Sequence, residues 1–251
     1  MENGIISIGL ETPVVYTRGT TFDALLWGHV GNEWDEIPSD ILMKTNGVYH
    51  ASTLFIDRND CTICSASYVR KFGFNEFHDI LHPEDRVKHY KRVDDKTREN
   101  YPDLNLKLDL TINPFNNTLD EYPCFKTSAV FFYVTGDIEK ITMLLRDLKF
   151  IGKKRSGGFG KVKLNEDGTP QINYQIVSGD FVGVVDKNGM AIRPVPIEMQ
   201  EDFNINPRIS SNVIVSWRPN YRYTEKTNCF NIRGNSFMLP RHKIDGMYDR
   251  L

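Results

Sequence analysis

One stretch of sequence limits the fold more than any other. Residues 128–164 read SAVFFYVTG, then DIEKITMLLRDLKFIG, then KKRSGGFGKVKL. The first part is an unbroken apolar and aromatic run, as expected of a strand buried on both faces. In the second part Ile138, Ile141, Leu144, Leu145 and Leu148 recur at helical spacing behind Asp137, a natural N-cap. Gly152 stands where a helix C-terminus favours positive φ. Residues 159–164 are then expected to continue as a strand. This order, strand, helix, glycine loop, strand, requires a sheet covered by at least one helix.

The N-terminal segment has the same pattern. Residues 4–10 (GIISIGL) read as a strand, and Thr20 or Thr21 is placed to cap a short helix in which Phe22, Leu25, Leu26 and His29 share a face. Residues 47–57 read as the next strand. Two strand–helix units, each followed by a strand, predict an α+β fold of the ferredoxin-like βαββαβ plan, occupying residues 1–57 and 105–165. Residues 58–104 differ in composition: HPEDRVKHYKRVDDKTREN is densely charged, with Pro83 placed to start a helix, and reads as an inserted arm. Residues 105–112 alternate as a half-buried strand should. Residues 166–251 carry short strand candidates at 171–177, 180–185 and 211–217, and read as a β-rich extension.

The net charge of −2 argues against a generic nucleic-acid binder, but the charge is unevenly spread. Residues 152–163 hold Lys153, Lys154, Arg155, Lys161 and Lys163 and no acid. The loop is not a phosphate-binding Walker loop, which opens a helix where this one closes it. Nor is it a dinucleotide fingerprint, which follows a strand and precedes a helix. Gly157, Gly158 and Gly160, beside Ser156, would let a polyanion approach the backbone closely. Phe159 is placed either to stack on an unpaired base or to anchor the loop. The plain reading is a β-turn with solvated lysines. Trp217 and Tyr221 alternate with Arg218 and Arg222, the composition of a base-stacking surface or of an edge strand with inward aromatics.

The segment IGKKRSGGFGKV after this strand and helix resembles the glycine-rich loop of the RAMP superfamily, the repeat-associated proteins of CRISPR systems. The opening GIISIGLETPVVYTRGTTFDALLWGHV is similar to that family's first strand and helix. AIRPVPIEM, with Arg193, and WRPNYR are similar to C-terminal segments of the type IV member that caps the foot of the effector complex. Asn220 departs from the family, which often has a second proline there.

The resemblance implies a non-catalytic subunit of a ribonucleoprotein complex that holds the 5′ handle of the CRISPR RNA (crRNA). Its implied partners are the backbone subunits of that complex and target DNA near the protospacer-adjacent motif. The implied RNA contacts are the loop residues from Lys153 to Lys161, with Tyr16, Arg18, Arg193, Trp217, Arg218, Tyr221 and Arg222. Two other readings stay open: a metal-independent endoribonuclease processing the precursor RNA, with His29 or His50 as base, and a type III RAMP subunit.

Four cysteines are too few for a disulfide scaffold, no apolar run is long enough to span a membrane, and no secretion signal is visible. A cytoplasmic protein is expected. Cys61 and Cys64 form half of a structural zinc site whose remaining ligands would come from His78, His82, Cys124 or Cys229. A lone CxxC is more often two ordinary cysteines, and no cofactor is expected.

Overall fold

The computed structural model describes residues 1–15, 20–30, 36–70, 118–153, 155–177, 183–218, 225–234 and 236–239. The chain forms two compact units, Met1–Cys64 with Pro123–Leu251, and Ser65–Tyr122. Among the described residues, strands and two α-helices make a mixed α/β fold. Among the described residues no helix is long and apolar enough to cross a membrane.

The first unit is organised by strand β1 (Glu2–Gly9). Its six apolar and small residues from Gly4 to Gly9 are all buried, and β1 has a partner on each edge. It pairs antiparallel with Ala129–Gly136 on one side and with Ile172–Ile176 on the other. Numbered in chain order, the short strands are β2 (Val14–Val15), β3 (Lys44–Thr45), β4 (Val48–Tyr49) and β5 (Phe55–Asp57). They are followed by β6 (Thr62–Arg70), β7 (Thr118–Lys126), β8 (Ala129–Gly136) and β9 (Ile172–Ile176). The C-terminal part adds β10 (Val195–Pro196), β11 (Ser211–Val215), β12 (Thr227–Asn231) and β13 (Met238–Leu239). The main sheet runs β13-β5-β8-β1-β9, with smaller sheets β10-β12-β11, β2-β7-β6 and β3-β4.

Helices α1 (Phe22–Val30) and α2 (Ile138–Leu144) place Phe22, Leu26, Ile138 and Ile141 in the core beside Ile6, Ile8 and Phe132 of the sheet. Asp137 caps α2 as its position predicts, accepting a hydrogen bond from the Lys140 amide at 3.1 Å. The apolar stripe outlasts the helix: Leu145 and Leu148 are buried although α2 ends at Leu144.

Three local expectations are corrected. Residues 47–57 are not one strand. Asn46 (φ 49°) and Gly47 (φ 83°) close a two-residue hairpin between β3 and β4, and β5 begins six residues after β4 ends. An Asn-Gly pair with both φ values positive matches the twist of the flanking strands, so the hairpin outcompetes a continuous strand. Gly152 has positive φ (75°), but the helix has ended well before it. A Cβ there would sit 2.8 Å from the Val15 carbonyl oxygen, so the glycine serves a chain crossing. Residues 159–164 form isolated bridges (Phe150 with Lys161, Leu10 with Val162) and not a strand, and β9 takes the edge of β1 instead. The predicted strand at 105–112 and the helix start at Pro83 lie outside the described residues.

Candidate functional site

The glycine loop is sewn onto the segment that follows β1. The Lys153 amide donates to the Val15 carbonyl (3.1 Å), that of Gly160 to Pro13 (2.8 Å), and that of Glu11 to Lys161 (2.9 Å). Thr12 works in both directions: its hydroxyl donates to the Gly158 carbonyl at 2.7 Å and accepts from the Lys161 amide at 2.8 Å. Within the loop, Arg155–Gly157 form one 3-10 turn and the Gly158 amide returns to Arg155 (2.9 Å).

The glycines therefore have different roles. Gly160 has φ 67° and passes so close to Ile151 that an added Cβ would lie 2.0 Å from its carbonyl oxygen. Gly158 has φ 81° with nothing within 4 Å of a Cβ position, so its surface is open. The amides of Gly158 and Gly160 donate within the chain, so neither points its N–H outward. Lys153, Arg155 and Gly157 are exposed, and Phe159 is half-buried. Lys161 is an ion-pair partner of Glu11 at 2.7 Å. Ser156 is described only by its backbone, and Lys154, Tyr16 and Arg18 lie outside the described residues.

A cleft of about 460 Å³ opens beside the loop, lined by His29, Asp147, Leu148, Lys149, Phe150 and Arg155. His29 Nε2 is 3.1 Å from an Asp147 carboxylate oxygen. His29 and Arg155 are recognisable in the sequence as separate candidates, and the fold places them on one wall. Lys149, Asp147 and Thr12 carry no motif and are not recognisable there. Lys149 and Asp147 become recognisable only once the turn after α2 folds back toward α1.

The other residues assigned to RNA stand elsewhere. Ala51 bridges to Val134, six residues along β8 from Ser128, whose carbonyl takes the Leu10 amide beside the glycine loop. Six residues of strand measure about 20 Å. Arg193 contacts Ala51 and so belongs to the far end of the sheet.

Arg193 is also not a surface residue. Its side chain is fully buried against Asp23 (Nη2 to Oδ2, 3.2 Å, both side chains 0 % exposed). It donates further to the carbonyls of Ala51 (3.3 Å), Pro194 (3.3 Å), Trp217 (2.8 Å) and Tyr49. Its assignment to RNA is therefore corrected: the guanidinium ties α1, the β4–β5 connection and the Trp217 segment together. Trp217 is half-buried on a second, smaller core containing Val195, Phe203 and Phe230, with the Arg218 guanidinium 5.5 Å from its ring centroid. Tyr221 and Arg222 lie outside the described residues.

Of the two cysteines of the CxxC, Cys64 meets a third one. Cys64 Sγ lies 2.6 Å from Cys124 Sγ across β6 and β7. Burial and the neighbouring Asp60 push the Cys61 thiol up to about 11, and burial with Cys64 pushes Cys124 to about 12. Among the described residues no group of three or more His, Cys, Asp or Glu side chains is placed to hold a metal ion. His78 and His82 lie outside the described residues.

His50, the second histidine considered as a base, is 4 % exposed, with Nε2 2.8 Å from the Thr45 hydroxyl. Burial, and then the charge of Arg193, lower its pKa to about 4. A base so weak matches poorly with proton abstraction near neutrality. The shift does have a stability consequence. Between the ordinary value of 6.5 and about 4, the unfolded state binds a proton at this position that the folded state refuses. The contribution is complete above pH 6.5 and lost as pH falls toward 4, amounting to about 3 kcal/mol. Urea denaturation across that window should show this loss in the wild type, and His50→Phe should flatten it by that amount.

No protein-family model matches this sequence, and no curated protein matches it.

Proposed function

We propose that this chain is a non-catalytic RNA-binding subunit of the RAMP superfamily, of ferredoxin-like fold. It holds the 5′ handle of a crRNA in a class 1, type IV ribonucleoprotein complex. The observation that carries this reading is the glycine loop. It is fixed from beneath by Thr12, Pro13 and Val15, and it presents Lys153, Arg155 and an unobstructed Gly158 outward.

A strand order of β5-β8-β1-β9, antiparallel at every join, with α1 and α2 as the connections, supports the split βαβ plan. Phosphates would be gripped by Lys153, Arg155 and Lys149, while Phe159 at the rim is suited to a splayed base. Backbone subunits of the same complex are the expected protein partners, and target DNA near the protospacer-adjacent motif a further one.

The test is binding of a labelled repeat-derived 5′ handle at two salt concentrations. Changing Lys153, Lys154 and Arg155 to alanine removes up to three phosphate contacts. The log–log salt slope should therefore fall in magnitude by about 2, at the single-strand value near 0.7 per contact. Unchanged affinity and slope in the variant would exclude the loop as the RNA grip.

A second reading rests on the cleft beside the loop. His29, oriented by Asp147 and facing Lys149 and Arg155, has the parts of a metal-independent ribonuclease: a base and cations for the charge that develops. Under that reading His29→Ala abolishes cleavage of precursor RNA and leaves binding intact. Under the first, the RNA stays whole with either protein.

A further inference from the structure

A second cleft, of about 550 Å³, lies at the end of β8 opposite the glycine loop, where the His50 carbonyl takes the Thr135 amide. Its volume is in the range of small-molecule sites. Two turns form its walls. In one, Asp186 Oδ1 accepts from the amides of Asn188 (2.9 Å) and Met190 (2.8 Å). The other contains Asp202, Phe203 and Asn204. They are locked together where Asn206 donates to the Gly189 carbonyl at 2.8 Å, and a Cβ on Gly189 would come within 2.8 Å of the Asn204 carbonyl oxygen. The walls are preformed.

The ring of His50 lines this cleft, edge-on to Phe203 with centroids 6.0 Å apart. Its Nε2 meets Thr45, but Nδ1 is buried with no hydrogen-bond partner. A buried imidazole nitrogen is ordinarily satisfied, so this one requires an explanation. With the ring neutral, one nitrogen donates and the other accepts. A ligand group that meets the ring at this wall can therefore either donate or accept. Asp186 and Asp202, against Lys187 alone, disfavour a phosphate or carboxylate ligand. Arg193, whose charge is already felt at His50, disfavours a cation deep in the cleft. Val185 and Phe203 supply apolar surface for a flat ring.

We propose that this cleft binds the base of a nucleoside or unpaired nucleotide, with an exocyclic amino group toward Asp202 and a ring nitrogen or carbonyl at His50. The site stands apart from the glycine loop and does not depend on the RNA reading.

The experiment is calorimetric titration of the full chain with cytidine against uridine, and adenosine against inosine, pairs that exchange an amino group for an oxo group. Cytidine or adenosine should bind at least about fivefold tighter than its oxo partner, since a site built to accept a hydrogen bond rejects the analogue that cannot donate it. Asp202 is exposed, so Asp202→Asn should fold normally and lose that preference. His50→Phe should weaken all four ligands.

The glycine-loop alanine variant should bind nucleosides as the wild type does, which separates failure here from failure of the RNA reading. A cytidine trinucleotide that binds better than cytidine, with the same Asp202→Asn response, would identify a strand as the source. Equal binding would identify the free nucleoside. The proposal is overturned by no saturable binding up to about 10 mM, a level weaker than ordinary ligand affinities. Equal affinity for amino and oxo partners would overturn it too, as would a preference that survives Asp202→Asn.

Discussion

Arg193→Met should cost the first unit about 3–5 kcal/mol, the penalty for removing one partner of a buried charge pair. Asp23 would lose the guanidinium in a site with no solvent exposure, and the carbonyls of Tyr49, Ala51 and Trp217 would lose their shared donor. Natural domains hold only about 5–15 kcal/mol in reserve, so the variant should melt far earlier or fail to accumulate folded. Arg193→Lys should be nearly as damaging. An ammonium is a single point charge and cannot reach acceptors that the planar fork meets on several sides. The double variant Asp23→Asn with Arg193→Met should recover part of the loss, because the stranded charge is removed along with its partner. Urea denaturation of the single and double variants measures this. A loss below about 1 kcal/mol for Arg193→Met, the range of an exposed pair, would mean the guanidinium is not the tie described.

Arg193 also shows where reading the sequence stops being reliable. Periodicity located β1, α1, β8 and α2, because each buries a regular stripe: Ile6 and Ile8, Phe22 and Leu26, Val130 and Phe132, Ile138 and Ile141 are all in the core. Asp137 was legible as a cap because capping is a local property. Burial of this arginine depends on four groups distant in sequence, and an arginine near prolines and aromatics has the same appearance in sequence whether it meets a phosphate or a carbonyl. The Asn46–Gly47 hairpin was legible in principle, but the apolar run after it concealed the turn. The cleft formed by His29, Asp147, Lys149 and Arg155 was illegible for a similar reason. His29 and Asp147 are brought together only when the turn after α2 packs back on α1, and no spacing rule records such a return.

The glycine loop gives the second large effect, as a contrast between two residues two positions apart. Gly160→Ala should destabilise the first unit by about 3 kcal/mol, combining the left-handed backbone penalty with overpacking against Ile151. Its φ is 67° and the added Cβ would meet the Ile151 carbonyl oxygen at 2.0 Å, so neither the backbone nor its neighbour has room to yield. The Gly160–Pro13 and Ile151–Gly160 hydrogen bonds, both 2.8 Å, would be strained together. Gly158→Ala meets nothing within 4 Å, so only the φ of 81° is penalised, about 1 kcal/mol. Thermal or urea unfolding of the two variants should therefore rank them clearly, with Gly160→Ala much the worse. RNA binding should order them differently, measured per folded molecule at a temperature where both are folded. If the loop's open face takes the handle, Gly158→Ala places a methyl group between the backbone and the RNA and should weaken binding although the fold barely changes. Gly160→Ala should act mainly through the amount of folded protein. A Gly158→Ala protein that binds the handle as tightly as the wild type would show that RNA does not approach the backbone there. The loop's glycines would then be explained by chain geometry alone, and Lys153 and Arg155 would be left to carry the interaction as side chains.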